Sequence, residues 1–127
     1  MVEAIRRAQI AARKALECTY EGLLTVTEHR KEKGAETKLT GYKDIVVMEN
    51  QPCKLSYESI QSVQQGESAL AVTQTAKLII SPEVVIKAGS KITITQSGVT
   101  TDYTSSGVPA VYPTHQEIML ELFERWA

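Results

Sequence analysis

Residues 91–103, KITITQSGVTTDY, decide the fold. Ile92 and Ile94 alternate with Thr93 and Thr95, the period of a strand with one buried and one wet face. Ser97-Gly98 supplies a tight turn, and residues 99–103 return as a partner strand. Upstream, Ala88-Gly89-Ser90 is a turn, preceded by short apolar strands at 77–80 and 84–86 that Ser81-Pro82 separates. Downstream, 105–113 is a loop punctuated by Gly and Pro. Residues 116–122 then set Ile118, Leu120 and Leu122 against Glu117, Met119 and Glu121. That alternation favours a last strand, although Ile118, Met119, Leu122 and Phe123 also suit a short helix.

The first half shows the same period from Gly22 onward. Leu24, Val26 and Glu28 share one strand face, with Thr25 and Thr27 opposite. Residues 28–38, EHRKEKGAETK, are too charged for a core and read as an exposed hairpin arm or loop, His29 included. A second strand covers 42–49, Asn50-Gln51-Pro52 makes a turn, and Cys53, Leu55 and Tyr57 begin a third. Before all of this, residues 2–16 (VEAIRRAQIAARKAL) are rich in helix formers. Ile5, Ala8, Ala12 and Leu16 give that helix a narrow apolar stripe, suited to a sheet face, a neighbouring subunit or a partner. The expected fold is mainly β: a small antiparallel barrel or sandwich with one N-terminal helix and a long inter-strand loop. The expected organisation is a single domain over 1–127, with the helix at 1–17, the barrel at 22–122 and the loop at 59–75.

The bulk numbers fit one ordinary core. The chain has 127 residues, 43% hydrophobic and 23% charged, with a net charge of −1. A chain of this length buries about two-thirds of its unfolded surface without staples. Near-neutrality supplies no global field toward nucleic acid or anionic membrane, and no apolar run is long enough to span a bilayer. Neither a signal-peptide pattern nor a cysteine motif is present. Cys18 and Cys53 read as two buried thiols of a reducing compartment.

One stretch is unusual. Residues 55–76, LSYESIQSVQQGESALAVTQTA, contain no Lys or Arg and only two charges, Glu58 and Glu67. A connection this long inside a small domain is functional or disordered. Its composition suits contact with a partner without ion pairing.

No catalytic pattern accompanies it. His29 and His115 lack Cys, Asp or Glu at ligand or triad spacing, and His115 reads as a capping or rim hydrogen-bond residue. No serine lies in a nucleophile elbow, and no glycine-rich phosphate loop precedes a helix. Trp126 reads as an anchor rather than a stacking platform, since no basic–aromatic alternation of the single-strand-binding kind is present. The expectation is a protein that is not an enzyme and takes no cofactor or metal.

Residues 40–127 resemble the head-closure (stopper) proteins of long-tailed phages, also described as minor capsid or head–tail connector proteins. The pattern is a strand at 77–80, Pro82, an apolar strand at 84–86, Gly89 between Ile86 and Ile92, a hairpin, and a last strand opening near His115. The resemblance implies a homo-oligomeric ring of β-barrels in the virion neck, assembled in the bacterial host cytoplasm. It closes the DNA channel after packaging and carries the tail. The implied partners are the portal/adaptor ring, a tail-completion or tail-terminator protein, and packaged double-stranded DNA met without sequence specificity. No membrane is involved. The family's gating loop falls by position on Ser59, Ile60, Gln61, Ser62 and Val63, continuing through Gln64, Gln65, Gly66, Glu67 and Ser68. Arg30, Lys31, Glu32, Lys33 and Lys38 of the charged arm are candidates for an inter-ring contact. The alternatives are a tail-completion or other neck ring protein, and an OB-type nucleic-acid-binding module.

Overall fold

The alternation at 91–96 is realised in a computed structural model as one strand of a closed sheet. The structure describes residues 1–33, 40–63 and 70–126, with backbone alone for 32, 33, 40, 59–63 and 70–74. Among them the order is α1 (Val2–Glu17), β1 (Gly22–Lys33), β2 (Thr40–Val63), β3 (Leu70–Ile80), β4 (Lys91–Gln96), β5 (Val99–Ser105), β6 (Ala110–Val111) and β7 (Gln116–Leu122). All pairings are antiparallel, in the order β3-β2-β1-β4-β5-β7-β6, and a further β3–β7 pairing closes the sheet into a barrel. Closure removes the open edges that a flat sheet would leave.

The period-two positions fill the interior. Leu24 and Val26 of β1, Cys53 and Leu55 of β2, Leu78 and Ile80 of β3, Ile92 and Ile94 of β4, Tyr103 of β5, and Ile118 and Leu120 of β7 form one buried cluster. Each Leu or Ile so buried contributes about 1.5–3 kcal/mol. Ser97 (φ 53) and Gly98 (φ 77) are both left-handed, as a two-residue turn matched to strand twist requires. Gly22 begins β1 because a Cβ there would lie 3.1 Å from Cys53 Sγ and 3.1 Å from Gln96 Oε1. Gln96 itself pairs with the Leu55 backbone like a strand, accepting from its N–H at 2.8 Å and donating to its carbonyl at 3.0 Å.

Several expectations change. Asn50-Gln51-Pro52 is no turn: β2 runs through it as one strand of 24 residues. The register passes from Leu24↔Gln51 to Val26↔Met48 and then to Thr27↔Val46, so β2 carries an extra residue at each step. Asn50 takes a positive φ of 53° at this bulge, a place where Pro is also tolerated. Thr27, beyond the double shift, is buried as well. Residues 84–86 join no ladder. Val84 and Ile86 pack on the core from a strap, while Val85 is 82% exposed. Gln116 replaces the missing ladder, donating from Nε2 to the carbonyls of Ser81 (2.8 Å) and Val84 (2.6 Å).

The sequence-predicted loop at 59–75 is largely paired strand. Ser59↔Gln74 through Val63↔Leu70 extends the β2–β3 ladder in register, because backbone pairing needs no particular side chain once Leu55↔Leu78 is set. Residues 64–69 lie outside the described residues. Cys18 is exposed rather than buried, and it and Cys53 are unpaired thiols. Among the described residues, no helix is long and apolar enough to cross a membrane. No residue of α1 is buried, so its apolar stripe does not seat on a sheet face. The helix is tied down through Arg13, whose guanidinium grips the Glu83 carboxylate with two bonds of 2.6 Å and reaches Glu17 at 2.7 Å. These bonds raise the Arg13 pKa and lower that of Glu83.

Candidate functional site

Two hairpin arms extend from the barrel. β4 covers β1 only from Leu23 to Thr27, so the pairs from Glu28↔Ile45 to Lys33↔Thr40 form a two-stranded arm. β7 covers β3 only from Ala76 to Ile80, so the pairs from Glu58↔Thr75 to Val63↔Leu70 form a second arm. β2 belongs to both. Thr75 Oγ1 donates to the Glu58 carbonyl (3.3 Å) where the second arm leaves the wall.

The candidate gating residues Ser59, Ile60, Gln61, Ser62 and Val63 are the outer part of β2 in this second arm. Gln64, Gln65, Gly66, Glu67 and Ser68 lie outside the described residues. On the first arm Arg30 is occupied by Glu28 at 2.8 Å, and Lys31 is exposed. Glu32 and Lys33 continue the ladder, and Lys38 is outside the described residues.

The base of the first arm holds a cluster that sequence reading missed. His29 is not simply solvent-exposed. Its ring is stacked between Tyr42 (4.5 Å, 7° between planes) and Trp126 (4.7 Å, 12°), and Nδ1 lies 2.7 Å from Asp44 Oδ1. Phe123 meets Trp126 edge-on at 4.9 Å, and Lys91 Nζ stands 5.5 Å and 5.7 Å from the two ring centres, a cation–π arrangement. The cross-strand pairs His29↔Asp44 and Lys31↔Tyr42 put all four on one arm face. That register depends on the double bulge, and Trp126 arrives from the other end of the chain. The local pattern therefore carried no signal for the cluster. A trough of about 510 Å³ lies beside it, lined by both arm strands, the 87–90 turn and Trp126.

A polar network crosses the β3–β7 seam. His115 Nε2 lies 3.0 Å from Glu117 Oε2, and Lys77 Nζ lies 3.6 Å from Glu117 Oε1. The His115 hydrogen bond, assisted by Lys77, holds the Glu117 carboxyl below its ordinary range. His115 also contacts Thr114 Oγ1 at 2.8 Å and stacks on Tyr112, in keeping with the expected rim role. Burial, followed by the Tyr57 hydroxyl, pushes Tyr103 up to about 12, and burial pushes the Cys53 thiol up to about 11. Among the described residues, no group of three or more His, Cys, Asp or Glu could hold a metal ion.

No protein-family model matches the chain, and no curated protein does. Among solved structures, the chain is similar to the protein xkdH of the phage-like element PBSX of Bacillus subtilis. The identity is 13%, the match covers 79% of this chain and 91% of that one, and the TM-score is 0.48. A likeness at this level does not bear on activity or partners.

Proposed function

We propose that the chain is a structural subunit of the phage neck, a head-closure (stopper) protein that forms a ring, seals the DNA channel and carries the tail. The observation that carries this reading is the β2–β3 arm. Its strands pair with each other beyond the barrel wall from Glu58↔Thr75 to Val63↔Leu70, and residues 59–75 include no Lys or Arg. A cation on each arm would be multiplied by ring symmetry and would hold DNA through salt-dependent phosphate contacts. An arm without cations obstructs the channel sterically and lets the DNA leave. The resemblance over 40–127 supports the same reading. Its strand at 77–80 lies in β3, its hairpin is β4–β5, and its last strand is β7, which follows His115. On this reading the partners are the portal/adaptor ring, a tail-completion or tail-terminator protein, further copies of this chain and the packaged double-stranded DNA.

Shortening the arm tests the gate. Replacing residues 61–72 by Asn-Gly joins Ile60 to Thr73 in register. The barrel should melt as before and particles should assemble, while filled heads lose their DNA. Heads that keep their DNA with the shortened arm would overturn the assignment.

A further inference from the structure

We propose that the trough at the base of the β1–β2 arm is a docking site for an acidic segment of a partner protein that carries an aromatic or apolar anchor. The trough lies between the arm and the turn at residues 87–90 and holds about 510 Å³. Among the described residues its lining carries three cations, Arg30, Lys31 and Lys87, against one carboxylate, Glu28. Glu28 is neutralised by Arg30 at 2.8 Å, and Asp44 faces His29 at 2.7 Å. Lys31 and Lys87 line the trough from opposite sides, and neither has a carboxylate partner among the described residues. Two exposed ammonium groups across one groove favour a ligand with carboxylates on both flanks, bound by charge-assisted hydrogen bonds and steered by the local field.

Tyr42 lines the trough beside Lys31, its cross-strand partner. One of its ring faces lies on His29, yet the side chain remains 65% exposed, which leaves apolar surface for an anchoring side chain. The His29–Trp126 stack and the Phe123 edge hold that surface in place, so little ordering remains for the moment of binding. Gly89 (φ 85) has nothing within 4 Å of where a Cβ would stand, and the turn therefore leaves the groove open.

A strand of nucleic acid fits less well. Readers of single strands offer successive bare ring faces, whereas both faces of His29 are covered and Trp126 is already engaged by His29 and Phe123. A small ligand would be poorly enclosed in so open a groove. The inference deepens the arm-contact part of the reading above, and it rests on that reading only for where the partner resides.

Trp126 is the chain's only tryptophan, so its emission reports on the groove. The full chain is titrated at low salt with the capped peptide EEFEEFEE, with KKFKKFKK, and with the oligonucleotide dT8. The expected result is a saturable emission change with EEFEEFEE alone, weakening as salt rises. Lys31→Glu combined with Lys87→Glu should lower that affinity at least tenfold, while the melting temperature stays unchanged because both side chains are exposed. No saturable change with EEFEEFEE, equal affinity in the double variant, or tighter binding of dT8 would each overturn the proposal. DNA retention in filled heads reads the β2–β3 arm instead, so the two assignments fail independently.

Discussion

Gln116 is a polar side chain in a core position, and its amide decides how the strap at residues 81–90 is held. It donates to the Ser81 and Val84 carbonyls, which no strand otherwise pairs. Gln116→Leu keeps the volume, orphans the Val84 carbonyl and leaves the Ser81 carbonyl only its bond from the Val84 N–H. The loss should be about 1–3 kcal/mol, the cost of a buried group left unsatisfied, read as a lower urea midpoint with an unchanged slope. Cys53 gives a second prediction. Its folded thiol keeps its proton until about pH 11 because burial disfavours the thiolate, while the unfolded thiol ionises near about 8.5. A raised folded pKa contributes stability that is complete below the unfolded value and lost as pH rises toward the folded one. Thermal melts should therefore decline between about pH 8.5 and 11, with a shallower decline in Cys53→Ala. A thiol reagent should label Cys18 in the native protein and reach Cys53 only on unfolding. The inward positions Leu24, Ile92, Ile94 and Ile118 were legible in the sequence because period two needs no knowledge of the partner strand. The stacking of His29 was not, because it depends on a register and on a residue from the far end of the chain.

The β4–β5 hairpin was the most legible element, since Ser97-Gly98 names its own turn type. Gly98→Val forces a branched side chain into a left-handed backbone and should cost about 1–2 kcal/mol. The thermal midpoint should drop by several degrees, with the native spectrum retained. Asn50-Gln51-Pro52 shows the limit of such signals. Asn with Pro two residues later suits a turn and a bulge equally well, and only the length of β1 opposite decides between them. Residues 84–86 alternate like a strand because Val84 and Ile86 pack on the core, but their backbone joins no ladder. In the β2–β3 arm the unusual composition was legible and its conformation was not, since Gln, Ser and Thr are compatible with either loop or ladder.

At the scale of the molecule, barrel closure rests on the β3–β7 seam, which Lys77, Glu117 and His115 cross on its outer face. The depressed Glu117 pKa, due first to His115, contributes stability present above the unfolded carboxyl value and lost as pH falls through the folded one. Glu117→Gln should flatten the acid limb of the stability curve below about pH 4.5, checked by melting temperatures from pH 6 to 3. A barrel was among the expectations, but which strands close it was not legible, because no pattern within β3 or β7 names its partner. One consequence follows from β2. Its 24 residues enter the wall from one arm and leave it into the other, a contour of roughly 80 Å at about 3.3 Å per residue. The two arms are thus ends of a single covalent tie-rod. A pull on one is carried along the backbone to the other, and the bulge at Asn50 is the compliant joint where that load can be absorbed.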